Sequence, residues 1–130
     1  IGAAQMERLP EILRRKKAIA NLYRAELAGN VFTFQTVGAG VESSNWLVSL
    51  LLPSGVDRYD VMRLMAEEGI DSRPVFYCAH RMPMYLQEDN FPVAQGIAAR
   101  GISLPSYPTL TNDEVRRVAE TLRRVVGQLG

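Results

Sequence analysis

Histidine, cysteine, tryptophan and lysine are nearly missing from this 130-residue chain: it has one of each of the first three and only two lysines, adjacent at 16 and 17. A lone cysteine excludes an internal disulfide framework and suits a reducing compartment, so a cytoplasmic location is expected. No apolar run is long enough to span a bilayer, and none reads as a signal peptide. Net charge is +1, which removes the broad basic field that nucleic-acid or membrane binding draws on. There is no Gly-rich phosphate loop, no Cys or His pair at metal spacing, and no Ser-His-Asp set. Neither a metal site nor a complete catalytic apparatus is therefore expected in this chain.

What is present suits one soluble globular domain: 47% hydrophobic and 22% charged residues, with enough chain for a real core. The opening Ile1-Gly2-Ala3-Ala4-Gln5 lacks an initiator Met and any Ser, Thr, Asp or Asn to cap the helix that follows. The expectation is a fragment or excised domain of a longer protein, residues 1–130 forming a single unit.

The periodicity predicts a helix over 3–28, with Met6, Leu9, Ile12, Leu13, Ile19, Ala20, Tyr23 and Leu27 on its apolar stripe. Gly29 ends it, and Pro10 either kinks it or restarts it. Arg14-Arg15-Lys16-Lys17 spans a full turn and reads as a solvated face, with Lys16 near enough to the stripe to lay its stem on the core. Residues 31–36 alternate and read as a strand. Residues 37–44 form a loop, and the apolar run 45–52 reads as a central strand beginning at Trp46, whose ordinary place is the core. Asp57 caps a helix through Glu68, and Gly69 ends it in the left-handed region. Glu88-Asp89-Asn90 reads as a polar turn. Pro92 opens a short helix to Arg100, closed by Gly101. Residues 102–105 are extended, and 106–110 form a Pro-containing loop. Thr111 and Glu114 have capping-box spacing before a last helix to about Gln128, with Val115, Val118, Ala119, Leu122, Val125 and Leu129 inward. Helices around a small mixed or antiparallel sheet make an α+β, two-layer domain.

One stretch departs from this scaffold. Gly69 to Tyr85, GIDSRPVFYCAHRMPMY, gathers the only His, the only Cys, two Arg and two Tyr. Pro74 cannot donate to a ladder, so residues 72–77 read as an edge strand, and 78–84 as a loop that Pro83 keeps from becoming helical. Arg73 and Arg81 suit bidentate capture of phosphate or carboxylate. Tyr77 suits either a core ring or a site. His80 reads more readily as a hydrogen-bonded loop histidine than as a ligand or base, and Cys78 as a small apolar group rather than a nucleophile. A Schiff-base role for Lys16, on a helix beside two Arg, is the weaker reading.

Four segments in order resemble the DegT/StrS-type sugar aminotransferases: IGAAQMERLPEILRRKKAIANLYRAEL, SSNWLVSLLLP, GIDSRPVFYCAHRMPMY and FPVAQGIAARGISLPSYPTLTNDEVRRVAETL. The third is most similar to members that act on nucleotide-linked 4-keto-6-deoxy sugars, especially the perosamine synthetase-like ones. The resemblance implies the C-terminal small domain of a fold-type I, homodimeric enzyme dependent on pyridoxal phosphate. The lysine and acid that hold the cofactor would lie upstream, with no catalytic or cofactor-binding residue in this chain. It further implies Arg73, Tyr77, His80 and Arg81, with Trp46 a weaker candidate, on the side of a nucleotide-sugar substrate, and glutamate as the usual amino donor. Cys78-Ala79 departs from the Pro that commonly precedes the family's His. A sugar dehydratase of the same family and a stand-alone ligand-binding module are the alternatives.

Overall fold

The computed structural model describes residues 2–86 and 90–130. Along the chain lie α1 (Gly2–Glu26), β1 (Thr33–Phe34), β2 (Val48–Leu51), α2 (Arg58–Glu67), β3 (Arg73–Pro74), two 3-10 turns (Ala79–Arg81 and Pro83–Tyr85), α3 (Pro92–Arg100), β4 (Gly101–Leu104) and α4 (Asn112–Leu129). The strands form one antiparallel sheet in the order β1-β2-β4-β3. This is the expected α+β layering, in the expected order of elements. The expected turn at Glu88-Asp89 lies outside the described residues. No helix among the described residues is long and apolar enough to cross a membrane.

The core is one cluster between the sheet and α1, α2 and α4. Val48, Leu50 and Leu52 enter it from the β2 region, and Ile102 and Leu104 from β4. Tyr23, Val61, Met65, Val115 and Leu122 meet them from the helices. Each such side chain contributes roughly 1.5–3 kcal/mol by leaving water. Burial on α1 is concentrated in its second half, at Ile19, Ala20, Tyr23 and Leu27; Met6 and Leu13, expected on the same stripe, are exposed. The caps follow the sequence. Asp57 accepts from the backbone N–H groups of Tyr59 and Asp60, and Thr111 and Glu114 close a capping box. Gly29 and Gly69 sit at φ +71° and +75°, the left-handed conformation that ends α1 and α2.

Several expectations are corrected. The strands are shorter than the apolar runs, because β1 and β3 are edges and Pro74 removes a donor from β3. Pro83 does not prevent helical structure: it opens the second 3-10 turn, at a position where a missing N–H costs nothing. Gly101 closes α3 as expected, but with φ −79° rather than in the left-handed region. It is required by closeness instead: a Cβ there would lie 2.4 Å from Val75 Cγ2 and 2.8 Å from the Ile97 carbonyl oxygen. The basic turn of α1 is not simply solvated. Arg15 donates to the carbonyls of Pro108 and Leu110 and to Asn112 Oδ1, and Lys16 Nζ donates to Ser106 O at 2.8 Å. With Tyr23 Oη on Pro105 O at 2.9 Å, these groups fasten the β4–α4 loop to α1. A loop rich in proline offers carbonyls without matching donors, and long basic side chains from a neighbouring helix satisfy them.

Candidate functional site

The second face of the sheet carries the candidate site. Residues directly opposite on adjacent strands share a face. Arg73 lies opposite Ser103, and Ser103 opposite Ser49, so the three form one polar row across β3, β4 and β2. The two serine hydroxyls are hydrogen-bonded at 2.8 Å. Above this row opens a cleft of about 930 Å³, bordered also by Trp46, Phe76 and Lys16. Its far wall is the fastened loop, Pro105 to Pro108.

Trp46 and Phe76 are stacked, with ring centroids 6.2 Å apart and planes inclined by 25°. They flank β2 and β3, which are not neighbours, so the pair reaches across the line of β4. Trp46 is 67% exposed and Phe76 72%. Trp46 is therefore not a core residue, contrary to expectation. The run NWLVSLLL starts before the strand does: Asn45 adopts φ +49° and turns the chain, and only from Val48 does burial begin. Open aromatic faces beside cations are a surface on which a planar ring can stack.

The electrostatics are mixed. Arg73 spans from Nε and Nη2 to Asp71 Oδ2 at 3.3 and 3.1 Å. Both groups are largely exposed, so this pair is weak and its guanidinium can exchange Asp71 for another anion. Partial burial pulls the Lys16 ammonium below its ordinary value of 10.5. Arg117 also borders the cleft and donates to Glu68 O at 2.6 Å. Burial first, then the neighbouring Tyr107, push the Tyr23 phenol far above its usual range, so it stays a neutral donor to Pro105.

The other candidates do not converge on this cleft. Beyond Pro74 the chain leaves the sheet and runs into the 3-10 turns. Tyr77 is exposed. His80 is only 9% exposed; its Nε2 lies 3.1 Å from Gln95 Nε2, and its ring 4.7 Å from that of Phe91. It docks the loop on α3, the structural role the sequence favoured. Arg81 is exposed at the end of the first turn. Cys78 is a partly buried free thiol. Thus Arg73 and Trp46 are brought together, while Tyr77, His80 and Arg81 lie along the loop. Sequence reasoning missed Phe76, Ser49 and Ser103. Phe76 carried a signal, as a second ring beside Tyr77 just past an edge strand.

The residues here do not by themselves fit a pyridoxal phosphate site. Both lysines are engaged, Lys16 on the Ser106 carbonyl and Lys17 with Glu42 at 2.9 Å.

Comparison with known proteins gives a consistent pattern. The model of the DegT/DnrJ/EryC1/StrS aminotransferase family matches residues 1–123. GDP-perosamine synthase of Vibrio cholerae is 38% identical over 128 residues, 95% of this chain and 35% of that protein. Among solved structures, the aminotransferase TlmJ from Streptoalloteichus hindustanus superposes with a TM-score of 0.91 at 25% identity, over 99% of this chain and 35% of that one. DesI, solved in the presence of its TDP-sugar product, superposes with a TM-score of 0.86 at 26% identity, over 97% of this chain and 34% of that one. The chain spans about a third of the length of the curated relatives it matches.

Proposed function

The chain belongs to the DegT/DnrJ/EryC1/StrS aminotransferase family, and on that premise we propose that it is the C-terminal, substrate-side domain of a pyridoxal phosphate-dependent sugar aminotransferase. The substrate in this reading is a nucleotide-linked keto-deoxy sugar of the kind handled by perosamine synthases, with glutamate as amino donor. The enzyme works as a cytoplasmic homodimer in surface-polysaccharide or amino-sugar biosynthesis.

The observation that carries the reading is the cleft that joins Trp46, Phe76 and Arg73 over the serine row. A nucleotide sugar offers a planar base, a diphosphate and a hydroxylated ring. The aromatic pair suits the first, Arg73 the second, and Ser49 and Ser103 the third. Tyr77, His80 and Arg81 line the way along the loop, His80 chiefly by holding its course. Pyridoxal phosphate, when bound, supplies the electron sink for amino transfer, and we assign the lysine and acid that hold it to the remainder of the protein. That assignment is supported by the engagement of both lysines of this chain.

The test is an absorbance spectrum of the full-length protein purified with pyridoxal phosphate, before and after borohydride, followed by an amination assay. Donor glutamate and a nucleotide-linked 4-keto-6-deoxy hexose should give the amino sugar, and reduction should fix the cofactor onto a lysine outside this segment. Cofactor binding without a lysine adduct would overturn the aminotransferase reading in favour of a dehydratase. No cofactor absorbance would leave a ligand-binding module.

A further inference from the structure

Lys16 lies on α1, and its ammonium reaches across to the Ser106 carbonyl in the loop after β4. That loop does not depend on Lys16 alone. Tyr23 holds Pro105, and Arg15 holds Pro108 and Leu110, so Ser106 has fastenings on both sides. An ammonium carries three N–H donors. Ser106 takes one, and among the described residues Lys16 forms no other hydrogen bond and no salt bridge. Lys16 and Ser106 both border the cleft above the serine row. Burial holds the ammonium below its ordinary 10.5, and no acid offsets that cost. A partly desolvated cation with spare donors, at the edge of an open cleft, gains from an anion that enters it.

The two acids that border the cleft are both occupied. Asp71 accepts from Arg73, and Glu114 accepts from the Thr111 backbone N–H and hydroxyl, each at 2.7 Å. Neither is paired with Lys16. The Arg73–Asp71 pair is exposed and open to exchange, so two cations of this cleft can take an incoming anion. They come from separate elements: Arg73 from the edge strand β3, Lys16 from α1, where it stands with the far-wall loop. Two cations on separate elements match a ligand whose negative charge is divided between two neighbouring groups. A diphosphate is such a ligand. The planar Arg73 fork suits one phosphoryl group, and the compact ammonium, a point charge with rotatable donors, suits the other.

We propose that Lys16 is a second phosphate-binding residue of the cleft: seated on the Ser106 carbonyl, its ammonium grips one phosphoryl group of a nucleoside diphosphate while Arg73 grips the other. This rests on the reading of the cleft as the nucleotide-sugar site. It gives the cleft a preference for diphosphates over monophosphates, because a single phosphoryl group leaves one of the two cations without its anion. The Ser106 carbonyl serves as the seat that aims the ammonium before the ligand arrives.

The test is calorimetric titration of the full-length protein, loaded with pyridoxal phosphate, with GDP and with TDP, each against its monophosphate. Lys16→Gln removes the charge but keeps an amide N–H for the Ser106 carbonyl, and Lys16→Arg keeps both charge and donors. Lys16→Gln should weaken the nucleoside diphosphate about tenfold and the monophosphate much less. It should also make the diphosphate affinity less sensitive to added salt. Lys16→Arg should recover most of the loss. A Lys16→Gln protein that keeps the parent diphosphate affinity would overturn the proposal. So would equal losses for diphosphate and monophosphate with an unchanged salt dependence, which is what a merely loosened loop would give. If Arg73→Met loses diphosphate affinity and Lys16→Gln does not, Lys16 alone is refuted and the cleft reading stands. A parent protein that binds neither diphosphate, or that binds one undiminished in Arg73→Met, would refute the cleft reading and the proposal with it.

Discussion

Trp46 and Phe76 stack at 6.2 Å although the strands they flank are separated by β4. Both rings face solvent widely, so the contact stabilises little and leaves ring surface open. Phe76→Ala should change folding stability by no more than about 0.5 kcal/mol in chemical denaturation. It should still alter the emission of Trp46, the only tryptophan of the chain. A large loss of stability would mean that the pair belongs to the core.

Gly101 is where the sheet tolerates no side chain. Gly101→Ala forces a Cβ onto Val75 and the Ile97 carbonyl, and should cost about 1–3 kcal/mol in the denaturation midpoint. Adding Val75→Ala should recover only part of that, because the backbone oxygen at 2.8 Å stays in place.

The capping box of α4 makes stability depend on acid. Hydrogen bonds from the Thr111 backbone N–H and then its hydroxyl hold the Glu114 carboxyl below its ordinary 4.5. A depressed folded value favours the carboxylate, so its contribution is complete above 4.5 and fades as pH falls through the folded value. Glu114→Gln should flatten this acid limb in melting curves taken at stepped pH. Thr111→Ala should cost about 1 kcal/mol at neutral pH, the usual loss of a helix cap.

Lys16 gives the opposite limb. Desolvation lowers its ammonium in the folded chain from 10.5. Between the folded value and 10.5 the unfolded chain binds more protons, so this group's contribution to stability rises with pH across that window. Lys16→Met should remove that rise from the alkaline profile. It also leaves the Ser106 carbonyl without its donor, which the β4–α4 loop should show as faster amide exchange.

The scaffold was legible because it rests on local chemistry. Asp57, Thr111 with Glu114, Gly29 and Gly69 marked element ends by capping and positive φ, and the α4 stripe from Val115 to Val125 is buried as its period requires. The site was legible only in part. Arg73 was singled out by its residue type, but its sharing of a face with Ser103 and Ser49 is a matter of register between strands distant in sequence. Trp46 was misread because an apolar run does not show where a strand begins, and Asn45 turns the chain first. The basic turn of α1 was misread because its partners, the carbonyls of 106, 108 and 110, have no side-chain signature.

The central claim is that the cleft under Trp46 and Phe76 receives the nucleotide-sugar side of the reaction. The most direct test is steady-state kinetics of Arg73→Met in the full-length enzyme, with nucleotide sugar and amino donor varied separately. Loss of a charge-assisted phosphate contact should raise KM for the nucleotide sugar at least about tenfold. The KM for the amino donor and the cofactor spectrum should not change. An unchanged sugar KM, or a rise confined to the amino donor, would contradict the account.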